Sequence, residues 1–353
     1  MQLYQAAPYY TMFPIGFPAN YLEKARPGTW VLDPFCGRGT TLFAARLRGL
    51  PAAGIDISPV AAAMAQAQLA YASEREVMAL LRDLLAQDDE PPQGAFWELG
   101  YHASTLKAIS GVRKGLLHLE GDAAHLLRLF FLGRLHGPLR KTPSYLSNQM
   151  PRTYAPKPGY AVRFWQRKEL YPPEVDVLRV IQRVAQRYLV SLPPKVEGEV
   201  ARGDARTFDF LSLGGPYRLI ITSPPYPGMR TYVPDQWLRH WFLGGRPEVS
   251  YRYEGQLGSR RWVDYGLELR QVWLNVAKAS LPGAWLMVRM GALPSTVGMD
   301  PGELLRFSLI DTPWKLKTLK GAATAQEGRR QALQFGKQGK ALLEYDGVAR
   351  LEG

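Results

Sequence analysis

Ser223-Pro224-Pro225-Tyr226 follows directly on the run Leu219-Ile220-Ile221-Thr222. The apolar residues read as a buried strand, and two prolines end it in a rigid corner because they lack an N–H and fix φ. There the proline carbonyls are expected to point outward as unpaired acceptors, beside the Ser223 hydroxyl and the flat face of Tyr226. Such a set suits the exocyclic amino group of a nucleobase, a poor nucleophile whose lone pair is delocalised into the ring. Two acceptors on its hydrogens would draw the nitrogen toward a tetrahedral geometry, and Tyr226 would stack on the base, a contact worth roughly 1–3 kcal/mol. A Pro-Pro turn with a packed tyrosine is the alternative.

A second set lies upstream, in Val31-Leu32-Asp33-Pro34-Phe35-Cys36-Gly37-Arg38-Gly39-Thr40-Thr41. It reads as a strand, a glycine loop and the start of a helix. The glycines let backbone approach a ligand closely, and a helix start offers free N–H groups to a carboxylate or phosphate. The helix from Thr41 to Arg48 leads into the strand Ala52–Ile57, which carries an acid, Asp56, 23 residues after Asp33. In doubly wound folds an acid at the end of the second strand takes ribose hydroxyls of a nucleoside cofactor. The dinucleotide fingerprint wants glycine where Leu42 stands, which disfavours pyrophosphate binding. A third strand-like run, Glu199–Arg202, ends in Gly203-Asp204-Ala205.

The elements that position these groups are spread over 353 residues, enough for one large domain or two ordinary ones. An aromatic and proline-rich arm with Phe13-Pro14 and Phe17-Pro18 precedes the first strand, and residues 59 to about 135 are expected to be mostly helical. A helix is expected over Pro173–Leu189, another over Pro234–Leu243 and a third over Leu267–Ala279. Leu281-Pro282-Gly283 reads as a turn before the strand Ala284–Met290, and Lys315–Leu319 and Ala341–Tyr345 as two further strands. His118 and His125 lack neighbouring ligands, so no metal is expected. A single cysteine, Cys36, excludes intrachain disulfides. With no signal peptide and no apolar run of membrane length, a cytoplasmic location without membrane association is the expectation.

The net charge of +13 favours a polyanionic partner, most simply nucleic acid. Between Gly137 and Leu170, Arg140, Lys141, Arg152, Lys157, Arg163, Arg167 and Lys168 face a single acid, Glu169. They interleave with Tyr145, Tyr154, Tyr160, Phe164 and Trp165, and with the polar Ser147-Asn148-Gln149. This is a candidate nucleic-acid surface, with cations on phosphates and aromatic or polar groups on bases. The alternative is a solvated basic loop whose aromatics lie in the core. The loop Gly228–Arg261, with Arg230, is a second candidate.

Together the Asp33–Thr41 stretch and Ser223-Pro224-Pro225-Tyr226 resemble the two signature motifs of the S-adenosylmethionine-dependent DNA amino-methyltransferases, over roughly residues 8 to 60 and 198 to 348. The resemblance implies an α/β fold, a seven-stranded Rossmann-like methyltransferase sheet whose last two strands form a reversed hairpin. It divides the chain into an N-terminal arm and cofactor-binding half (1–74), a largely helical insertion and candidate recognition region (75–195), and the catalytic half (196–353). The arm at Phe13 and Pro14 would close over the methionine end of S-adenosyl-L-methionine. Asp33, Phe35, Gly37 and Gly39 would form the cofactor loop, with Thr40 and Thr41 near the carboxylate. Asp56 would take the ribose hydroxyls, and Asp204 with the backbone of Ala205 would face the adenine. Ser223, Pro224, Pro225 and Tyr226 would hold the target base, flipped from double-stranded DNA at a cost of a few kcal/mol.

Within this family Ser at the first motif position is typical of cytosine N4 enzymes and Asp of adenine N6 enzymes, so Ser223 favours cytosine. Cytosine C5 chemistry needs a cysteine nucleophile after a proline, and Cys36 follows Phe35. Adenine N6, RNA or tRNA, and protein glutamine remain as competing targets, as does a non-catalytic nucleic-acid binder. A cognate restriction endonuclease is a further partner that the resemblance suggests.

Overall fold

The computed structural model describes residues 2–9, 13–138, 144–150, 156–227, 233–251, 255–257, 259, 261–291, 300–322 and 344–352. Arg140, Lys141, Arg152, Tyr154 and Arg230 lie outside these residues, as does the segment between the last two strands. The chain divides into two compact units, an α/β unit (Tyr9–Leu69, Pro194–Thr231 and Tyr253–Gly353) and a helical unit (Met1–Pro8, Ala70–Pro193 and Tyr232–Arg252). Both stretches considered for recognition therefore contribute to one helical unit, which is assembled from three chain segments rather than a single insertion.

In chain order, the α/β unit opens with α1 (Gly16–Leu22), β1 (Val31–Asp33), α2 (Thr40–Leu47), β2 (Ala52–Asp56) and α3 (Pro59–Leu69). The helical unit then supplies α4 (Glu74–Leu85), α5 (Ala95–Gly100), α6 (Ala103–Leu116), α7 (Asp122–Arg134), α8 (Pro158–Arg167) and α9 (Val177–Leu189). β3 (Gly198–Arg202) and β4 (Tyr217–Thr222) return to the sheet, and α10 (Trp237–Phe242) belongs to the helical unit. α11 (Trp262–Lys278), β5 (Ser280–Gly291), α12 (Pro301–Leu309), β6 (Trp314–Gly321) and β7 (Glu344–Leu351) complete the α/β unit.

The seven strands run in the order β3-β2-β1-β4-β5-β7-β6. The first five are parallel, and β7 enters antiparallel between β5 and β6. This is the Rossmann-like methyltransferase sheet with the reversed terminal hairpin that the resemblance implies. Successive strand residues point to opposite faces, and both faces are covered. Leu32, Ile220, Leu286 and Val288 pack with Leu269, Trp273 and Val276 of α11 and Leu304 and Leu305 of α12. Their neighbours Val31, Ala52, Leu219, Ile221 and Met287 pack with Phe17 and Leu22 of α1, Leu42 and Ala45 of α2, and Ala65 and Leu69 of α3.

Two strand expectations change. Leu281-Pro282-Gly283 lies within β5 and makes no turn, because the β4–β5 register shifts between Tyr217 and Leu219 and Gly283 takes φ 71°, a bulge that absorbs the Pro-Gly pair. The last strand runs Glu344–Leu351, since Asp346-Gly347, a turn signal in sequence, pairs across both neighbouring strands. α11 starts earlier than expected, at Trp262, and the Pro234–Leu243 segment contains a short 3-10 turn at Val233–Asp235 before α10.

The helical unit is held by aromatic packing. Trp237 and Trp241, one turn apart on α10, meet Phe96 and Trp97 of α5 at ring separations of 4.9 and 4.6 Å. That contact draws residues 233–251 to helices more than a hundred positions earlier. No helix among the described residues is long and apolar enough to cross a membrane.

Candidate active site

The candidate cofactor half lies at the carboxyl ends of β1 and β2. Beyond β1 the chain turns over the end of β2: the Cys36 N–H donates to the Ile55 carbonyl at 2.9 Å and the Gly37 N–H to Asp56 Oδ2 at 3.0 Å. The Ser58 N–H takes Asp56 Oδ1 at 2.9 Å, so both carboxylate oxygens are aimed by backbone. Gly39 has φ 86°, and a Cβ there would lie 2.8 Å from the Ala65 Cα, so glycine is required on both counts. Gly37 has φ 52°, and a Cβ on it would meet nothing within 4 Å. That opening, beside a carboxylate at the end of β2, is where close approach of a ligand to backbone is sterically free.

Asp33 is fully buried at the end of β1. Its Oδ1 accepts from the Thr222 hydroxyl at 2.6 Å and the Phe35 N–H at 3.1 Å, while Oδ2 has no hydrogen-bond partner among the described residues. Burial pushes its pKa up to about 6, against the lowering effect of Thr222, Thr41 and the Phe35 N–H. Burial also raises Asp56 to about 6, opposed by the Ser58 and Gly37 N–H groups. Thr40 and Thr41 are buried, and the Thr41 hydroxyl donates to the Ile221 carbonyl of β4 at 3.3 Å.

β3 delivers Gly203-Asp204-Ala205 to the same edge, since the Gly203 N–H donates to the Asp56 carbonyl at 3.1 Å. Arg206 grips Asp204 through Nε (3.0 and 3.1 Å) and Nη2 (2.6 Å). Burial would raise the Asp204 pKa, but the Arg206 bonds and charge outweigh it and hold the carboxyl below its ordinary value. Sequence reasoning gave Asp204 to an adenine ring without Arg206, whose position two residues on was the available signal.

The corner lies at the end of β4, the strand next to β1. Ser223 is half-buried and Pro224 buried. One expectation is corrected: the Pro225 carbonyl is not a free acceptor, because the Tyr265 hydroxyl of α11 donates to it. Among the described residues nothing donates to the Pro224 carbonyl, which leaves it and Ser223 Oγ as the acceptor pair. Tyr226 is fixed at the hydroxyl end of its ring. Its hydroxyl donates to Glu344 Oε1 of β7 at 2.5 Å, and a Cβ on Gly291 would fall 2.6 Å from the ring. Burial and the adjacent Glu344 raise the Tyr226 pKa, so the phenol stays protonated.

The arm joins this corner through β5 and β7. Arg289 forms a two-pronged ion pair with Asp346, both contacts at 2.8 Å, and its guanidinium stacks 4.4 Å over the Phe17 ring. Phe13 and Tyr21 meet Phe17 edge-on at 5.4 and 5.5 Å. Pro14 is exposed and Phe35 packs against the α11 side of the core. Cys36 is buried, and burial together with Asp56 and Asp33 pushes its thiol well above the usual value, which is adverse to a thiolate nucleophile.

In the helical unit the basic stretch separates into two populations. Lys157, Tyr160, Arg163, Arg167 and Lys168 are exposed. Tyr145, Ser147, Asn148 and Trp165 are buried, so they are not base contacts. Asn148 Nδ2 donates to the Leu99 and Leu170 carbonyls, and the Trp165 indole to the Gln149 carbonyl. His118 follows α6 and His125 lies in α7, so they share no helix.

No protein-family model matches the sequence, and no curated protein matches it. Among solved structures, the chain is similar to a SAM-dependent methyltransferase from Methanosarcina mazei at 10% identity, covering 97% of this chain and 98% of that one, with a TM-score of 0.36. It is also similar to the rRNA methyltransferase aviRa from Streptomyces viridochromogenes at 12% identity, 98% and 88% coverage and a TM-score of 0.37. TrmN from Thermus thermophilus matches at 11% identity over 99% of this chain and 52% of its own length, with a TM-score of 0.37. Similarity at this level carries no statement about substrate.

Proposed function

We propose that this chain is an S-adenosyl-L-methionine-dependent methyltransferase acting on an exocyclic amino nitrogen, and specifically on N4 of cytosine in double-stranded DNA. The observation that carries the reading is the junction of the two motifs. The Thr222 hydroxyl, one residue before Ser223, is bonded to Asp33 at 2.6 Å, so an acceptor-lined corner and a cofactor-type loop share one edge of the sheet.

The residues present fit the cofactor. Gly37 leaves open space beside Asp56, and Asp33 offers a buried carboxylate oxygen without a partner among the described residues. Asp56 would accept the ribose hydroxyls, the arm at Phe13 and Pro14 would cover the methionine end, and Asp204, Ala205 and Arg206 would border the adenine. When bound, the cofactor supplies an electrophilic sulfonium methyl.

The chain's own contribution is orientation and acceptor placement. Ser223 Oγ and the Pro224 carbonyl would accept hydrogen bonds from the two N–H groups of the amino group and draw its lone pair out of conjugation with the ring. Tyr265 holds the Pro225 carbonyl, and Glu344 with Gly291 holds the hydroxyl end of Tyr226, whose face would stack on the flipped base. Ser at position 223 favours cytosine over adenine by the resemblance to the amino-methyltransferases, and the exposed Lys157 and Arg163 would meet backbone phosphates. Tritiated cofactor offered to duplex DNA, tRNA and protein tests the reading. Label in duplex DNA supports it, and label only in tRNA or protein overturns the choice of substrate.

A further inference from the structure

Asp204 and Arg206, two residues apart on the loop after β3, form with Glu268 of α11 a cluster of two acids and one base. The Asp204 carboxylate receives N–H groups from a single residue. Oδ1 accepts the Arg206 backbone N–H at 3.0 Å, Nε lies between the two oxygens at 3.0 and 3.1 Å, and Nη2 reaches Oδ2 at 2.6 Å. A carboxylate has about four lone-pair sites, so these three N–H groups leave one open. The Asp204 side chain is 26% exposed, which keeps that site within reach of a ligand.

Arg206 is itself fastened. Its Nη1 lies 3.6 Å from Glu268 Oε1, and its Nη2 donates to the Gly255 carbonyl at 3.4 Å. Glu268 Oε2 is buried with no hydrogen-bond partner among the described residues. Further along α11, Asn275 Nδ2 donates to the Ala205 and Phe208 carbonyls at 3.2 and 2.8 Å, so the same helix pins the loop on both sides of Arg206.

Two carboxylates therefore share one guanidinium, and the cluster has more acceptors than donors. It suits a ligand group that donates. A 6-amino purine presents N–H groups there, whereas a 6-oxo purine presents a carbonyl oxygen that an ionised carboxylate repels. Without the guanidinium, Asp204 would keep only the Arg206 backbone N–H, and burial would act on its carboxyl unopposed by that charge. A carboxyl free to turn and to carry a proton can accept from an amino group or donate to a carbonyl, and so distinguishes the two bases poorly.

We infer that Arg206, anchored by Glu268, is a specificity-determining positioning residue that holds Asp204 as a fixed acceptor selecting a 6-amino over a 6-oxo purine in the cofactor. This deepens the proposed use of S-adenosyl-L-methionine and rests on it. Arg206 acts through Asp204, which is the group that meets the base.

The test is calorimetric binding of the full chain to S-adenosyl-L-homocysteine and to S-inosyl-L-homocysteine, whose purines carry an amino and an oxo group at position 6. At pH 7.5 Asp56, raised to about 6, is ionised for both. Wild type should bind the adenosyl compound at least about tenfold more tightly, the scale of one hydrogen bond to a charged group. Arg206→Gln should bring the two affinities within about threefold of each other, chiefly by weakening the adenosyl compound. Arg206→Lys, whose ammonium cannot span both carboxylate oxygens, should give a ratio between these two, and it carries the comparison if circular dichroism shows the glutamine variant unfolded. A merely structural role would weaken both compounds alike. An unchanged ratio in the variants, or a wild type that binds both compounds equally, overturns the inference while leaving the proposed function standing. A wild type that binds neither compound overturns both.

Discussion

The two halves of the candidate site are held in different ways. On the cofactor side, Asp56 is aimed by the N–H groups of Gly37 and Ser58, and Asp33 accepts from the Phe35 N–H. These partners are backbone groups 2 to 19 residues away, and the one long-range bond to either carboxylate among the described residues, from the Thr222 hydroxyl to Asp33, ties this side to the strand that ends in the corner. At the corner, Pro225 is held by Tyr265 of α11 and Tyr226 by Glu344 of β7, both side chains far along the chain. Asp56 is aimed within one β-α-β segment and Asp33 needs in addition only the neighbouring β4, whereas the corner needs the complete sheet and its flanking helix before its acceptors point correctly. The difference predicts separable failures.

Removal of the Ser223 hydroxyl should have the largest effect. Ser223→Ala is expected to lower kcat by about 10²-fold, the scale of deleting one oriented polar group at a reacting centre, with cofactor affinity unchanged. Coupled loss of cofactor binding, measured by calorimetry, would break the separation of halves.

Next is the pH dependence of the fold at Asp33. Burial pushes its carboxyl up to about 6 in the folded chain, above the ordinary carboxylate range. A raised folded pKa means stability that is complete below the unfolded pKa and lost as pH rises through about 6. The loss amounts to at most about 3 kcal/mol for two units. Denaturant melts at pH 4.5 and 7.5 should show this loss in wild type and a smaller one, from Asp56 alone, in Asp33→Asn. An identical pH difference in both proteins would remove Asp33 as its source.

Asp56→Ala should weaken cofactor binding tenfold or more, in line with about 1.5–3 kcal/mol for hydrogen bonds to a charged group. Since Asp56 titrates near 6, wild-type cofactor affinity should also fall as pH drops through that value and the acceptor is protonated. Intact affinity in Asp56→Ala would place the ribose elsewhere.

The smallest effect is expected for Tyr265→Phe, which leaves the Pro225 carbonyl without its donor. A several-fold fall in kcat, near the ~1 kcal/mol of one ordinary hydrogen bond, should come with unchanged cofactor affinity. Equal losses in both would show Tyr265 supporting the whole sheet edge rather than the corner.

The same contrast explains what could be read from the sequence. Asp33, the glycine loop and Asp56 announce themselves because loop and acid serve each other within one β-α-β segment. The strand before Ser223 was legible because an apolar run stops at two prolines. The Pro225 expectation failed because the partner, Tyr265, is an ordinary buried aromatic on an amphipathic helix, with nothing in its neighbourhood to mark it. For Trp165 and Asn148 the sequence leaves two readings open for a related reason: aromatic and amide side chains among cations suit a nucleic-acid surface or a core equally, and only packing on Phe96 and bonds to Leu99 and Leu170 decide.

The most direct test of the central claim is nucleoside mass spectrometry on DNA from a host expressing this chain, beside a host expressing Ser223→Ala. The account predicts N4-methylcytosine in the first and its near absence in the second. N6-methyladenine in place of N4-methylcytosine, or no methylated base at all, would contradict it.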